Sequence, residues 1–365
     1  MVRSEKKHRI IFIDLMRAFA VFQMVQGHTI DALLATEFRS DQFPVYYFWN
    51  FMRGMTAPIF MFTAGTVFTY LFRLANEPFE KNPRVKKGFF RFLLLVSIGY
   101  LLRYPTYTIF DFSSVTQDRL NIFFAVDVLQ LIGFGLLFVM AAAYIAEKLK
   151  LSDTIIFSFI ALFLFIATPF FQKTNWINFL PQPIAGYFYD GSGSLFPLFP
   201  WAGYVVLGGV LGSYLAKNPL VFKTNKFSFN LAIVGGLLLF AVEVALFIAS
   251  KYFNYHSIQS SYNLETIFFR VGFVLVLNSL VSYISQKIES IPRIIILVGR
   301  NTLLIYVVHL MIIYGSAWNP GLALFYANSL KVFTTILLAA AMVLLMGLMV
   351  ILLNKLKFRN KQLVT

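Results

Sequence analysis

Long apolar runs separated by short connections dominate the chain. Ten runs approach or exceed the ~20 residues a helix needs to cross a bilayer. They cover residues 10–34, 45–73, 89–107, 121–146, 153–171, 197–216, 228–250, 265–285, 294–315 and 330–353. A backbone in lipid has to satisfy its own hydrogen bonds, so each run is predicted as a helix. The pattern predicts an all-α integral membrane protein with about ten transmembrane helices: one polytopic domain over residues 1–365, in which a ten-helix bundle (10–353) lies between an N-terminal tail (1–9) and a C-terminal tail (354–365).

The connections alternate in charge. One set carries Arg3, Lys6, Lys7 and Arg9; Arg73, Lys81, Arg84, Lys86, Lys87 and Arg91; Lys148 and Lys150; Lys217, Lys223 and Lys226; Lys287 and Arg293; and Lys355, Lys357, Arg359 and Lys361. The opposite set holds only Arg39, Arg119, Lys173, Lys251 and Lys331. The positive-inside rule then puts both termini in the cytoplasm, which requires an even number of spans. The N-terminus MVRSEKKHR resembles the basic start of a signal peptide. The run after it is too long, contains Arg17 and lacks a small-residue cleavage site, so it reads as a retained span.

Composition adds little beyond this. The chain of 365 residues is 59% hydrophobic and 13% charged, against about 25% charged in soluble domains, so nearly all of it is expected in the membrane. The net charge of +15 lies in the connections, as orientation determinants do, and nucleic acid is not an expected partner. The absence of cysteine excludes disulfides, thiolate nucleophiles and Cys-ligated metals. The histidines are scattered with no ligand spacing, so no metal is expected. Two longer outer connections, 172–196 and 251–264, are rich in aromatic and polar residues. Such residues suit sugar recognition, and equally suit interfacial anchoring. His256, in the second of them, reads as solvated.

Ionisable groups inside the apolar runs cost about 2.5–3.5 kcal/mol each on insertion scales and usually serve a function. The first run carries Asp14, Arg17, His28 and Asp31. Arg17 and His28 lie about 16 Å apart along a helix, toward opposite faces of the membrane. The inner half also holds Arg300 and Asn301. The outer half holds Arg53, Arg103, Asp127, Gln130, Glu243, Arg270 and His309. Structural readings exist for several. Asp14 and Arg17 can pair at i, i+3; Arg53, Arg103 and Arg270 can pair with Asp127 and Glu243; His309 can be a packed core histidine. An Arg-lined cavity open to the cytoplasm can hold the phosphates of a nucleotide-like donor. A neutral histidine near the other face can take a proton from a hydroxyl or amine.

These residues carry a resemblance. Asp14-x-x-Arg17 with His28 resembles the arginine–histidine signature of the acyltransferase-3 membrane proteins. Val128-Leu129-Gln130, the stretch Phe199-Pro200-Trp201-Ala202-Gly203-Tyr204, and Gly299-Arg300-Asn301-Thr302-Leu303-Leu304-Ile305-Tyr306 up to His309 resemble the heparan-α-glucosaminide N-acetyltransferase catalytic-domain family. Both groups belong to one transmembrane acyltransferase superfamily. The resemblance implies transfer of an acyl group, usually acetyl, from cytoplasmic acyl-CoA to a glycan at the outer face. It implies His28 as catalytic base, Arg17 in the donor channel, and Lys86, Lys87 and Arg91 at the CoA phosphates. The chain departs from the acyltransferase-3 pattern of two arginines spaced by two residues, offering Arg84-Val-Lys-Lys and a later Arg91. It departs from the heparan enzymes too. Their catalytic histidine lies beyond the first helix, where this chain has none around Arg39.

The resulting expectation is a multi-pass acyltransferase of a bacterial inner membrane, with acetyl-CoA as donor and a glycan or glycolipid as acceptor. The catalytic set is His28, Asp31 as its orienting group, and Asn301 as an oxyanion donor. Arg17, Lys86, Lys87, Arg91 and Arg300 are expected to bind the cofactor. Arg53, Arg103, Asp127, Gln130, Arg270 and His309 are expected to face the acceptor. The alternative is a transporter or flippase in which buried arginines bind an anion and carboxylates couple protons.

Overall fold

The computed structural model describes residues 10–253, 260–288 and 290–362. The expected N-terminal tail with Arg3, Lys6, Lys7 and Arg9, and the loop residue His256, lie outside the described residues. The described chain is helical throughout: α1 (Ile11–Leu33), α2 (Pro44–Arg73), α3 (Pro83–Leu102), α4 (Gln117–Phe124), α5 (Val128–Lys148), α6 (Asp153–Ile166), α7 (Thr168–Lys173), α8 (Gln182–Ala185), α9 (Leu198–Lys217), α10 (Asn225–Phe253), α11 (Leu264–Gln286), α12 (Arg293–Arg300), α13 (Thr302–Ile313), α14 (Leu322–Tyr326) and α15 (Val332–Gln362). Among the described residues seven stretches are long and apolar enough to cross a membrane, and the bent pair α12–α13 makes an eighth. The first and third apolar runs are also helical, as α1 and α3. Charged and amide side chains lower their apolarity: Asp14, Arg17, Gln23 and Gln26 in α1, and Arg84, Lys86, Lys87 and Arg91 in α3. Helix α15 continues through Gln362, into the stretch read from sequence as a tail.

Three runs expected as continuous helices are interrupted, two of them at a polar side chain that bonds the backbone. The run 121–146 breaks between α4 and α5, where Asp127 caps α5. Its carboxylate accepts from Val128 N at 2.7 Å, and Gln130 Oε1 accepts from Asp127 N at 3.3 Å to complete a capping box. The run 153–171 breaks at Ala167. The run 294–315 bends by 77° between α12 and α13. There Asn301 leaves helical geometry (φ −107°, ψ 29°), and its Nδ2 donates to the Leu297 carbonyl at 2.8 Å. An asparagine amide that takes a backbone carbonyl competes with the helix itself.

The chain divides into two compact units: Met1–Phe12, Met61–Leu101 and Ser113–Lys287; and Ile13–Phe60, Leu102–Phe112 and Ile288–Thr365. In the first unit α9 is the core, its most apolar window 83% buried, while that of α10 is only 11% buried and presents Phe229, Leu237, Phe240 and Phe247 outward. Lipid is no worse a solvent for leucine than another helix, so close packing between helices relies on small residues. A Cβ on Gly208 would strike the Phe62 carbonyl, and one on Gly212 the Thr66 carbonyl. From the other side, a Cβ on Gly65 would strike the Val205 carbonyl, so α2 and α9 meet backbone to backbone. Helices α10 and α11 approach the same way at Gly235 and Gly272 and share Ser228–Ser282 (3.0 Å) and Ser279 Oγ to Ser228 O (2.6 Å).

A buried carboxylate ties the ends of three of these helices. Asp153, at the start of α6, takes Arg73 Nε and Nη2 of α2 at 2.9 and 2.6 Å, Lys217 Nζ of α9 at 3.4 Å, and the Ser213 hydroxyl. Removing the anion from such a network leaves two cations without a counter-charge. Asp153→Ala is therefore expected to destabilise the protein by about 3 kcal/mol. Ser213→Ala should cost only about 1 kcal/mol. Reversible unfolding in mixed detergent checks both; equal losses would show that the charge is incidental.

Candidate functional site

The second unit gathers polar groups along one face of α1. At 100° per residue, Arg17 and His28 are eleven residues and just over three turns apart, so they point within about 20° of each other. Helices α12 and α13 run along that face. Near Arg17, a Cβ built on Gly299 would lie 3.2 Å from the Asp14 carbonyl oxygen and 3.5 Å from Arg17 Cβ. Arg300, Asn301 and the bend therefore sit beside Arg17. A helix N-terminus carries a partial positive charge, so the start of α13 adds to Arg17 and Arg300 at this end.

At the other end α13 meets His28. The rings of His28 and His309 have centroids 5.4 Å apart, and the Tyr314 ring stands edge-on to His28 at 5.9 Å. His28 Nδ1 lies 3.3 Å from the Tyr314 hydroxyl. His309 is fully buried, and its Nδ1–H donates to the Ile305 carbonyl at 2.7 Å. That bond fixes the tautomer and puts the ring's lone pair on Nε2, which has no hydrogen-bond partner among the described residues. His28 is half-buried.

Asp31 does not stand as the orienting group of His28: its carboxylate is taken by Arg53 of α2. Arg53 was expected to pair with Asp127 or Glu243, and the nearer Asp31 claims it instead. The group at His28 Nδ1 is the Tyr314 hydroxyl, which the sequence reading did not single out. Asn301, expected as an oxyanion donor, spends its Nδ2 on Leu297 and lies about 12 Å along α13 from His309. Arg39, in sequence only a basic residue of an outer connection, has a structural role. It closes the C-terminal end of α1, giving Nη2 to the Asp31 and Leu34 carbonyls at 2.7 Å and to Asn328 Oδ1 at 2.6 Å. The chain just after α14 joins the same end through Leu330 N to Leu33 O and Ala35 N to Leu330 O, both 2.9 Å. Arg103 follows directly on α3 in this unit.

The remaining residues named from sequence belong to the first unit. Lys86, Lys87 and Arg91 are exposed on the opening turns of α3. Asp127 and Gln130 form the α5 cap. Arg270 of α11 is buried at 8% exposure and pairs with neither Asp127 nor Glu243. Among the described residues no group of three or more His, Cys, Asp or Glu could hold a metal.

Fold and site define an all-helical, multi-pass membrane protein with a histidine pair at one end of a broken helix and cations beside the break. The family model "Heparan-alpha-glucosaminide N-acetyltransferase, catalytic" matches residues 9–255, more than half the chain, and the chain belongs to this family of membrane acetyltransferases. The match includes Arg17 and His28 and ends before His309 and Tyr314. No curated protein matches the chain.

The chain has four histidines, so His28 can be followed individually by isotope labelling and NMR. Tyr314→Phe removes the hydroxyl at Nδ1 and is expected to move the His28 ring resonances. Asp31→Asn should leave them in place, and the reverse pattern would restore Asp31 as the orienting group.

Proposed function

We propose that the protein transfers an acetyl group from cytoplasmic acetyl-CoA to a hydroxyl or amine of a cell-envelope glycan on the outer face of a bacterial cytoplasmic membrane. The topology that goes with this reading has ten spans and cytoplasmic termini: the seven apolar stretches, the bent pair, α1 and α3. The observation that carries the reading is the phase of α1. Its single face holds Arg17 beside the helix break and His28 against His309 and Tyr314, in a chain whose family transfers acetyl groups.

In this mechanism Arg17 and Arg300 hold the donor near the break, with the positive end of α13 favouring its negative charge. With Nδ1–H donated to the Tyr314 hydroxyl, His28 carries its lone pair on Nε2, the atom that accepts a proton in this scheme. The acceptor's O–H or N–H gives its proton to His28 Nε2, and its oxygen or nitrogen bonds to the thioester carbonyl carbon. The C–S bond then breaks, and the leaving thiolate takes the proton back from the imidazolium. His309 supplies a neighbouring Nε2 that can accept a hydrogen bond from the acceptor. His309 and Arg53 lie on the acceptor side of this scheme.

One observation favours the transporter reading: discontinuous helices that expose backbone groups to a substrate are a device of secondary transporters. Donor binding separates the two. Acetyl-CoA should raise the melting temperature of the purified protein in proportion to the logarithm of its concentration above Kd. Arg17→Ala should weaken that binding about tenfold, as expected for a lost charge-assisted contact. His28→Ala should lower acetyl transfer at least ~100-fold, the scale of a general base, with CoA binding intact. A protein that ignores acetyl-CoA but takes up an anionic solute into vesicles would make it a transporter.

A further inference from the structure

The first unit buries a cation that has no ion-pair partner among the described residues. Arg270 stacks on the face of Trp201, its guanidinium carbon 5.3 Å from a ring centroid, and Nη2 donates to Ser261 Oγ at 3.1 Å. Its Nε and Nη1 have no hydrogen-bond partner among the described residues, and neither does Nε1 of Trp201, itself only 5% exposed. The surrounding carboxylates are accounted for. Asp127 caps α5, and Glu243 is exposed on α10. Glu265 lies five residues earlier on α11, about 140° round the helix. Burial pushes the Asp190 carboxyl up toward the neutral form, and its backbone N–H donates to Gln172 Oε1 at 3.0 Å. The stretch 254–259, NYHSIQ, contains no acidic residue.

A buried donor without a partner costs about 1–3 kcal/mol, and more when charged. Beside the phenols of Tyr204 and Tyr262, these three donors still lack a partner in hydrogen-bond geometry among the described residues, which favours an added acceptor, and the charge favours a negative one. An arginine fixed by ring stacking keeps its planar fork for carboxylate, sulfate or phosphate, and the indole N–H adds a directed neutral donor. Tyr262, whose phenol lies near Trp201 and Arg270, closes the cluster on the side of the α10–α11 connection. We propose that Arg270, Trp201 and Ser261 form an anion-recognition site that takes an oxyanion group, borne either by a soluble ligand or by a lipid headgroup. This site does not depend on the acetyl-transfer reading and is tested without it.

The test measures melting temperature of the purified full-length protein in neutral detergent, with sodium sulfate or phosphate replacing chloride at constant ionic strength. The wild type should rise with each tenfold increase in sulfate above Kd. Arg270→Met should lose that rise, and in chloride it should melt at or above the wild type, because an uncompensated buried charge has been removed. Trp201→Phe should reduce the sulfate response about tenfold in apparent Kd and stands in should Arg270→Met fail to fold. In nanodiscs of phosphatidylglycerol, a gap between wild type and Arg270→Met that is absent in phosphatidylcholine assigns the anion to lipid. The same gap in both, growing with sulfate, assigns it to a soluble ligand. A wild type indifferent to sulfate and to lipid charge, or an Arg270→Met protein destabilised equally in every condition, overturns the proposal.

Discussion

An ionisable side chain on a lipid-length helix must find its partner on another helix, and α1 carries several such groups on one face. That constraint organises the second unit. Arg17 and His28 are in phase, so a single neighbouring element can serve both only by running along that face. The α12–α13 pair does so, with Gly299 close enough to approach α1 at Asp14 and Arg17, and His309 placed on His28. The bend between them follows from the same need. A broken helix exposes backbone groups, which is tolerable at membrane depth only where they are satisfied or line a polar space. Asn301 takes the Leu297 carbonyl, and Ile305 N restarts the next helix on the Asn301 carbonyl at 3.0 Å.

The first unit meets the constraint with different chemistry. Asp153 is a local answer: one anion, two cations and a hydroxyl, all within hydrogen-bond or ion-pair reach at the ends of α2, α6 and α9. Glycines give the other answer by removing side chains where α2 meets α9 and α10 meets α11. Backbones then approach closely, and dispersion does the work that hydrophobic burial cannot do in lipid. Arg270 stands apart from both, since Trp201 covers the cation's face, Ser261 takes Nη2, and Nε and Nη1 have no hydrogen-bond partner among the described residues.

What the sequence made legible is what depends on averages along the chain. Apolar runs locate every long helix, because a bilayer demands the same composition over about 20 residues wherever it is crossed. The breaks are set by single residues, and averaging conceals them. Asp127 was read as a buried carboxylate and proves to be a helix cap, a role written in the local spacing Asp127-x-x-Gln130. Partners were the least legible. Arg53 and Asp31 are 22 residues apart, and His28 and Tyr314 are 286 apart. Periodicity says which face a residue occupies but not which helix arrives there. Tyr314 lies at the end of an apolar run, where a tyrosine ordinarily reads as an interfacial anchor.

The histidine pair weighs the two functional readings against each other on mechanical grounds. A proton-coupled transporter needs its titrating group to change partners between states, because the coupling lies in that exchange. His309 is poorly suited to this. It is fully buried, and its Nδ1 proton is committed to a carbonyl of its own helix four residues back, so the ring moves only with α13. Catalysis asks for the opposite property, groups held still and aimed before the reaction begins. A fixed His309 beside a half-buried His28, with a tyrosine hydroxyl on one ring nitrogen, is an arrangement in which both rings are held in place before any ligand arrives. The bonds of Asn301 to the Leu297 carbonyl and of Ile305 N to the Asn301 carbonyl hold the break in one geometry, which suits a fixed site better than a moving one.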